Sequence, residues 1–160
     1  MLSRVASSIY WLGRYLERAE NYSRFIDVNF NLMLDLPPDL KEQWEPLVIT
    51  TGDNEIYKTK HKNFERKDVI HFLTFDTDNP NSIISSISFA RENARVIREN
   101  LTKETWENLN ELYHFVLKRA DKKLFEEFLD QYFIKTWMKK KLIDMFNYID
   151  GDGDDWRRDM

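Results

Sequence analysis

The chain has 160 residues and a mass of 19.4 kDa, the size of one ordinary domain. Its 42% hydrophobic and 14% aromatic content supplies a core and excludes a disordered chain, while only four Gly and four Pro leave too few turns for a β-sandwich or barrel. The absence of Cys excludes a disulfide framework, a Cys nucleophile and a thiolate metal site, and a net charge of −4 argues against nucleic acid as the main partner.

From Ser3 to about Asp35, Val5, Ile9, Leu12, Leu16, Ala19, Ile26, Phe30 and Met33 recur at threes and fours, one helix face drifting toward a repeat of about 3.5 residues. Ser3 is placed to cap this helix, and Leu36-Pro37-Pro38 stops it, because a residue before proline leaves the α region. The same segment is read as structure rather than as a targeting address, since Arg14, Glu17 and Arg18 interrupt its apolar residues. No stretch approaches the roughly 18 apolar residues of a membrane span, so no membrane contact is expected and the expected location is cytoplasmic.

Asp39-Leu40-Lys41-Glu42 reads as a capping-box variant opening a short helix with Trp44, Leu47 and Val48, which Pro46 should kink and Gly52-Asp53 should end. Residues 53–64 are polar and mixed, a short helix or a loop, and Arg66 to Phe75 is a compact buried helix. Asp76-Thr77-Asp78-Asn79-Pro80-Asn81-Ser82 then gives a helix-start signal, with Asn79 as the cap and Pro80 at the first helical position. Ile83, Ile87, Ala90, Ala94, Ile97 and Leu101 continue it to residue 101, and Thr102 starts another helix with Trp106, Leu109, Leu112, Val116 and Ala120. A last helix is expected from Lys122 to Tyr148. The pattern predicts one all-α domain over 1–160, a bundle of about five to seven helices in which two long ones, about 3–35 and 80–101, pack together.

Opposite the apolar seam of the first helix lie Ser7, Tyr10, Trp11, Arg14, Glu17, Arg18, Asn21 and Phe25. Three aromatics on a polar face suggest a second packed surface. Gly13 costs about 1 kcal/mol against Ala in mid-helix, so a close backbone approach is expected there. The helix after Pro80 carries a related set, Arg91-Glu92-Asn93-Ala94-Arg95 and Arg98-Glu99, and Glu20–Ile26 faintly repeats in Glu92–Ile97. Three readings of these charges stand open. They are surface ion pairs, a buried network joining the two long helices, or a carboxylate or phosphate site read by Arg14, Arg18, Arg91 and Arg95.

Catalytic and metal signatures fail. His61, His71 and His114 lie in separate segments and form no His-Glu-x-x-His or Glu-x-x-His pattern. Asp150-Gly151-Asp152-Gly153-Asp154-Asp155 alternates acids like a calcium loop but has Asp155 where the turn glycine belongs, so it reads as an acidic turn. Lys135 and Lys139-Lys140-Lys141 read as a solvated helix face. There is no phosphate-binding glycine loop and no nucleophile elbow, so no cofactor or metal is expected. The chain is not expected to bind or hydrolyse ATP unaided, nor to be an enzyme on its own.

The opening MLSRVASSIYWLGRYLERAEN resembles the start of the bacterial Alpha-E domain family, with Glu17-Arg18 as its E-R motif. The match continues through Phe72-Leu73, Phe75-Asp76, Asn79-Pro80-Asn81-Ser82-Ile83, Ala90-Arg91-Glu92-Asn93-Ala94-Arg95, Arg98-Glu99 and Trp106 to Asn110, covering about residues 1–113. The resemblance implies an all-helical domain without assigned catalytic residues. Its motif positions here are Gly13, Arg14, Glu17, Arg18, Asn81, Ser82, Arg91, Glu92, Asn93 and Arg95. It also implies partnership with circularly permuted ATP-grasp ligases or transglutaminase-like peptidases, systems that make or trim amide linkages. Members are about twice this long, so the chain corresponds to an N-terminal half. The expectation is a non-catalytic interaction module; the alternative is the substrate- or carrier-binding part of an amide-forming enzyme. The aromatic face further predicts a two-fold antiparallel dimer with Arg18 of one copy near Glu17 of the other, unless the chain's own C-terminal helix covers it.

Overall fold

The computed structural model describes residues 2–120, and the expected helix 122–148, the lysine cluster and the acidic turn lie outside them. Those residues form six α-helices, one short 3₁₀ turn and no strand: α1 Leu2–Leu34, α2 Glu45–Thr51, α3 Asn54–Lys60, α4 Arg66–Thr74, α5 Ile83–Val96, the turn Arg98–Asn100 and α6 Lys103–Arg119. The all-α bundle is therefore present, and its two long helices do pack on each other.

Helix α1 is a rod of about 50 Å. It starts at Leu2, so Ser3 sits inside its first turn rather than at a cap, and it ends ahead of Pro37-Pro38 as the sequence requires. Its most extensive contact is with α5, and α6 packs on α5 in turn. Leu12, Leu16, Ala19 and Ile26 of α1, Ile83, Ile87, Ala90 and Ala94 of α5, and Leu109, Leu112 and Val116 of α6 belong to one buried core. Ala19, Ala90 and Ala94 are fully covered, and small side chains at such positions permit close helix approach. One expected seam residue fails: Ile9 is half exposed, although it lies at nearly the same angle around the helix as buried Leu16.

The short helices α2, α3 and α4 cap the other end of the core. Residues 39–44 do not form a helix. Helix α2 begins at Glu45, with Pro46 in its first turn, where a missing N–H leaves no hydrogen bond unmade and no kink results. Gly52 ends it in the left-handed conformation, φ +80°. Trp44, Val48, Val69, Ile70, Phe72 and Leu73 are buried there. Tyr57 of α3 stacks between Phe64 and His61, with Phe72 against its edge, and donates its hydroxyl to the Asn63 carbonyl at 2.8 Å.

Helix α5 starts later than its proline suggests. Ser82, not Asn79, is the cap, and its hydroxyl accepts the Ser85 N–H at 3.3 Å. Asn79 is instead fully buried in the preceding loop, where its side-chain oxygen accepts the Asn81 N–H at 2.9 Å. The helix also ends early, at Val96, and the 3₁₀ turn carries the chain to Leu101. Thr102 caps α6 as expected, accepting the Thr105 N–H at 3.1 Å.

Candidate functional site

Two features hold some of the residues that the sequence singles out: a buried polar knot that receives Asn81, and an open stripe along α1 that carries Arg14, Glu17 and Arg18.

The knot is built on Asp53. Left-handed Gly52 turns the chain sharply between α2 and α3, and the Asp53 N–H closes that turn on the Val48 carbonyl at 3.3 Å. The Asp53 side chain is thereby carried into the interior, where the residue is 1% exposed. One of its oxygens accepts the Tyr22 hydroxyl of α1 at 2.8 Å, and the other accepts the Asn81 amide at 2.7 Å. Tyr22 also reaches the Thr51 carbonyl at 3.3 Å. Burial, and then the adjacent Asp53 carboxylate, push the Tyr22 phenol far above its ordinary value, so it stays a donor. Asn81 and Ser82, both motif positions, thus serve as a tie and a helix cap. Sequence reading missed Asp53 and Tyr22; the signal available was an acid directly after a helix-ending glycine.

A second tie pins the same loop from outside. The Lys60 ammonium donates to both oxygens of Asp76, at 2.9 and 2.8 Å, and to Asp78 at 2.7 Å. Burial raises the Asp76 carboxyl, but the Lys60 bond, the Asp78 N–H and nearby positive charge outweigh it and hold the group below the usual carboxylate range. These oxygens are occupied by a lysine, and among the described residues no group of His, Asp and Glu could hold a metal ion.

The open stripe is the face of α1 opposite its core seam. Tyr10 is 60% exposed, Trp11 44% and Phe25 41%, and Val28 and Leu32 are more than half exposed. Its rings are linked: Tyr10 meets Trp11 edge-on at 5.4 Å, Trp11 lies 5.7 Å from Tyr15, and Tyr15 lies 5.2 Å from Phe89 of α5. Arg14 pairs with Glu17 at 2.8 Å, both side chains being about half exposed at 52% and 50%. The buried-network reading of Glu17 is therefore corrected to a surface ion pair. The guanidinium of Arg18 lies over the Tyr15 ring at 5.6 Å, and Asn21 is exposed. Nothing lies within 4 Å of where a Gly13 Cβ would stand, so no close approach explains that glycine. Where the stripe passes α2, an apolar groove of about 460 Å³ opens between Phe25, Val28, Asn29, Leu32, Pro46 and Leu47.

The arginines of α5 do not join this face. Arg91 donates through Nε to Asn110 of α6 at 2.7 Å and lies 4.8 Å over the Tyr113 ring, so it is a tie between α5 and α6. Glu92 lies 3.6 Å from Arg95 and 3.8 Å from Arg91, on the surface. The Asn93 amide turns back to the Phe89 carbonyl at 2.9 Å. Each of these four motif side chains is engaged on its own helix or against α6. No shared anion pocket forms from them with Arg14 and Arg18.

A family model described as a predicted alpha-helical domain with a conserved ER motif matches residues 1–142. The chain belongs to the Alpha-E family. Two Glu-Arg pairs occur among the described residues of this Alpha-E chain, Glu17-Arg18 on the open stripe and Glu65-Arg66 at the start of α4, where Arg66 lies 3.7 Å from Glu42 and over the Phe30 ring. Similar curated proteins are an uncharacterized protein of Mycobacterium bovis and one of Mycobacterium tuberculosis, each 31% identical over 134 residues. The match covers 74% of this chain and 15% of each of those proteins, so the chain spans a small part of the relatives' length. No solved structure matches. No helix among the described residues is long and apolar enough to cross a membrane.

Proposed function

We propose that this Alpha-E domain is a non-catalytic, α-helical docking module serving an amide-forming system, in which the partner is a circularly permuted ATP-grasp ligase or a transglutaminase-like peptidase. One observation carries the docking role: a helix whose inner face is buried from Leu12 to Ile26 presents Trp11, Phe25, Val28 and Leu32 on its outer face. Large apolar side chains gathered in one stripe with flanking charges mark a contact surface rather than a solvated one. The choice of system rests on what the resemblance of the opening MLSRVASSIYWLGRYLERAEN to Alpha-E proteins implies about their partners. The buried knot and the Lys60 clamp hold the surface still; neither offers an unsatisfied group for chemistry.

The test is co-expression of the chain with a circularly permuted ATP-grasp protein from the same genome, followed by size-exclusion chromatography. The two are expected to co-elute, and a Trp11→Asp/Phe25→Asp variant that keeps its helical circular dichroism is expected to weaken the complex at least tenfold. Separate elution of the unaltered proteins, with both ATP-grasp and transglutaminase-like partners, overturns the reading.

A further inference from the structure

A cleft of about 600 Å³ opens between the connection that leads into α2 and the connection that leads into α4. None of its lining residues belongs to the outer stripe of α1. Both connections are held by buried rings. The Trp44 ring is buried, and its indole N–H donates to one oxygen of Glu42 at 2.8 Å. The other Glu42 oxygen lies 3.7 Å from the Arg66 guanidinium, which also lies over the Phe30 ring of α1 at 5.9 Å. Phe64 stacks on buried Tyr57 at 4.8 Å, and the Tyr57 hydroxyl donates to the Asn63 carbonyl at 2.8 Å, which fixes residues 63 and 64.

Charge on this lining is unbalanced. Lys41, Lys62 and Arg66 supply three cations, against the two acids Glu42 and Glu65. Glu42 is already engaged, by Trp44 through one oxygen and by Arg66 near the other. Lys41 and Lys62 are exposed, stand on different connections, and form no ion pair among the described residues. Glu65 is also exposed and unpaired among the described residues, so the lining keeps an excess of one positive charge. Like charges facing one cavity repel, and an anion placed between them relieves that repulsion.

We infer that this cleft binds a small molecule carrying one oxyanion, a carboxylate or a phosphate, on an apolar body. Lys41, Lys62 and Arg66 hold the oxyanion, and the Phe64 ring meets the apolar part. Arg66 has five N–H donors and gives Glu42 only a loose contact at 3.7 Å, so it keeps donors for a second acceptor. An exposed ammonium contributes little alone, and affinity here depends on several cations sharing one group. Ligand cavities run from about 300 to 1,000 Å³. At about 600 Å³ the cleft has room for a ring beside its charged group. Glu65 limits the ligand's charge: a polyphosphate would meet that carboxylate with no further lining cation to offset it.

Benzoate, phenyl phosphate and benzamide share a ring and differ in the group it carries. Each is titrated into the full chain at fixed ionic strength, and two-dimensional NMR follows the Lys62 and Arg66 amides and the Trp44 indole N–H. At least one of the two anions is expected to shift these signals to saturation, and the tighter binder identifies the oxyanion as carboxylate or phosphate. Neutral benzamide is expected to leave them in place. Lys41→Ala/Lys62→Ala is expected to raise the dissociation constant about tenfold and Glu65→Gln to lower it about threefold, because each exposed charge is worth only a few-fold in affinity. All three positions are exposed, and unchanged helical circular dichroism separates a lost site from a lost fold. Equal saturation by benzamide, no saturable shift with either anion, or a double lysine variant that binds as tightly as the unaltered chain overturns the oxyanion site.

Discussion

Asp53 and Glu17 are both acids that hold a neighbour, yet burial gives them opposite weight. Asp53 is sealed in and satisfies two donors from two other elements. Asp53→Ala leaves the Asn81 amide, and half of the Tyr22 hydroxyl's bonding, without partners. It is expected to cost about 2–4 kcal/mol in urea unfolding, at the upper range for hydrogen bonds to charged groups. Glu17→Ala and Glu17→Gln are expected to change stability by less than about 0.5–1 kcal/mol in the same measurement, because an exposed pair is screened by water. The pH dependence follows from the same knot. Burial and Asp53 keep the proton on Tyr22, and burial with Asp68 and Glu65 keeps it on Tyr57. A raised folded value means that the unfolded chain ionises first. The stability these groups contribute is complete below about pH 10 and is lost as pH rises above it. Thermal melts from pH 8 to 11.5 should show the midpoint falling above about pH 10, and Tyr22→Phe should flatten that fall. Asp76 acts at the acid end with the other sign, its contribution present above about pH 4 and lost as pH drops.

For single elements, caps and glycines give the clearest expectations. Ser82 caps α5, so Ser82→Ala should cost about 1 kcal/mol, whereas Pro80→Ala, two residues before that cap, should change little. Gly13 lies within α1 with open space around its Cα hydrogens, so Gly13→Ala should stabilise the chain by about 0.5–1 kcal/mol. Gly52 sits at positive φ, and Gly52→Ala should destabilise by about 1 kcal/mol although nothing crowds it, because the strain is in the backbone. Chemical denaturation of the four variants checks all of these, and the opposite signs at the two glycines separate crowding from conformation.

At the scale of the whole molecule, stability rests on the α1–α5 contact and the core it shares with α6. Ala90 is fully buried in it, and Ala90→Leu should push the helices apart and lower stability by about 1–3 kcal/mol. Ile87→Ala, which removes volume from the same core, should cost about 2–5 kcal/mol. Thermal melts of both variants would show whether the contact is as tightly filled as its buried alanines indicate.

Much of this architecture is legible along the chain. Threes-and-fours spacing, the Pro37-Pro38 stop, the Gly52 stop and the Thr102 cap are local facts, and a helix is a local structure whose bonds close within four residues. The all-α class, the long first helix and the kinship with Alpha-E proteins follow from such facts. What the sequence misplaced was equally physical. Two residues near Pro80 compete to cap α5, and the loop resolved the competition by burying Asn79 for its own turn. Pro46 is harmless in a first turn and disruptive in a third, and nothing local says where that turn begins. The candidate site lay further from reach. Tyr22 meets Asp53 across 31 residues, and Asp53 meets Asn81 across 28. Such pairs exist only after three elements have packed, because a carboxylate finds its donors in space rather than along the chain. Whether Glu17 is buried or wet was decided in the same way: the spacing puts it opposite the seam, and only the fold shows that α5 and α6 assemble on the other side.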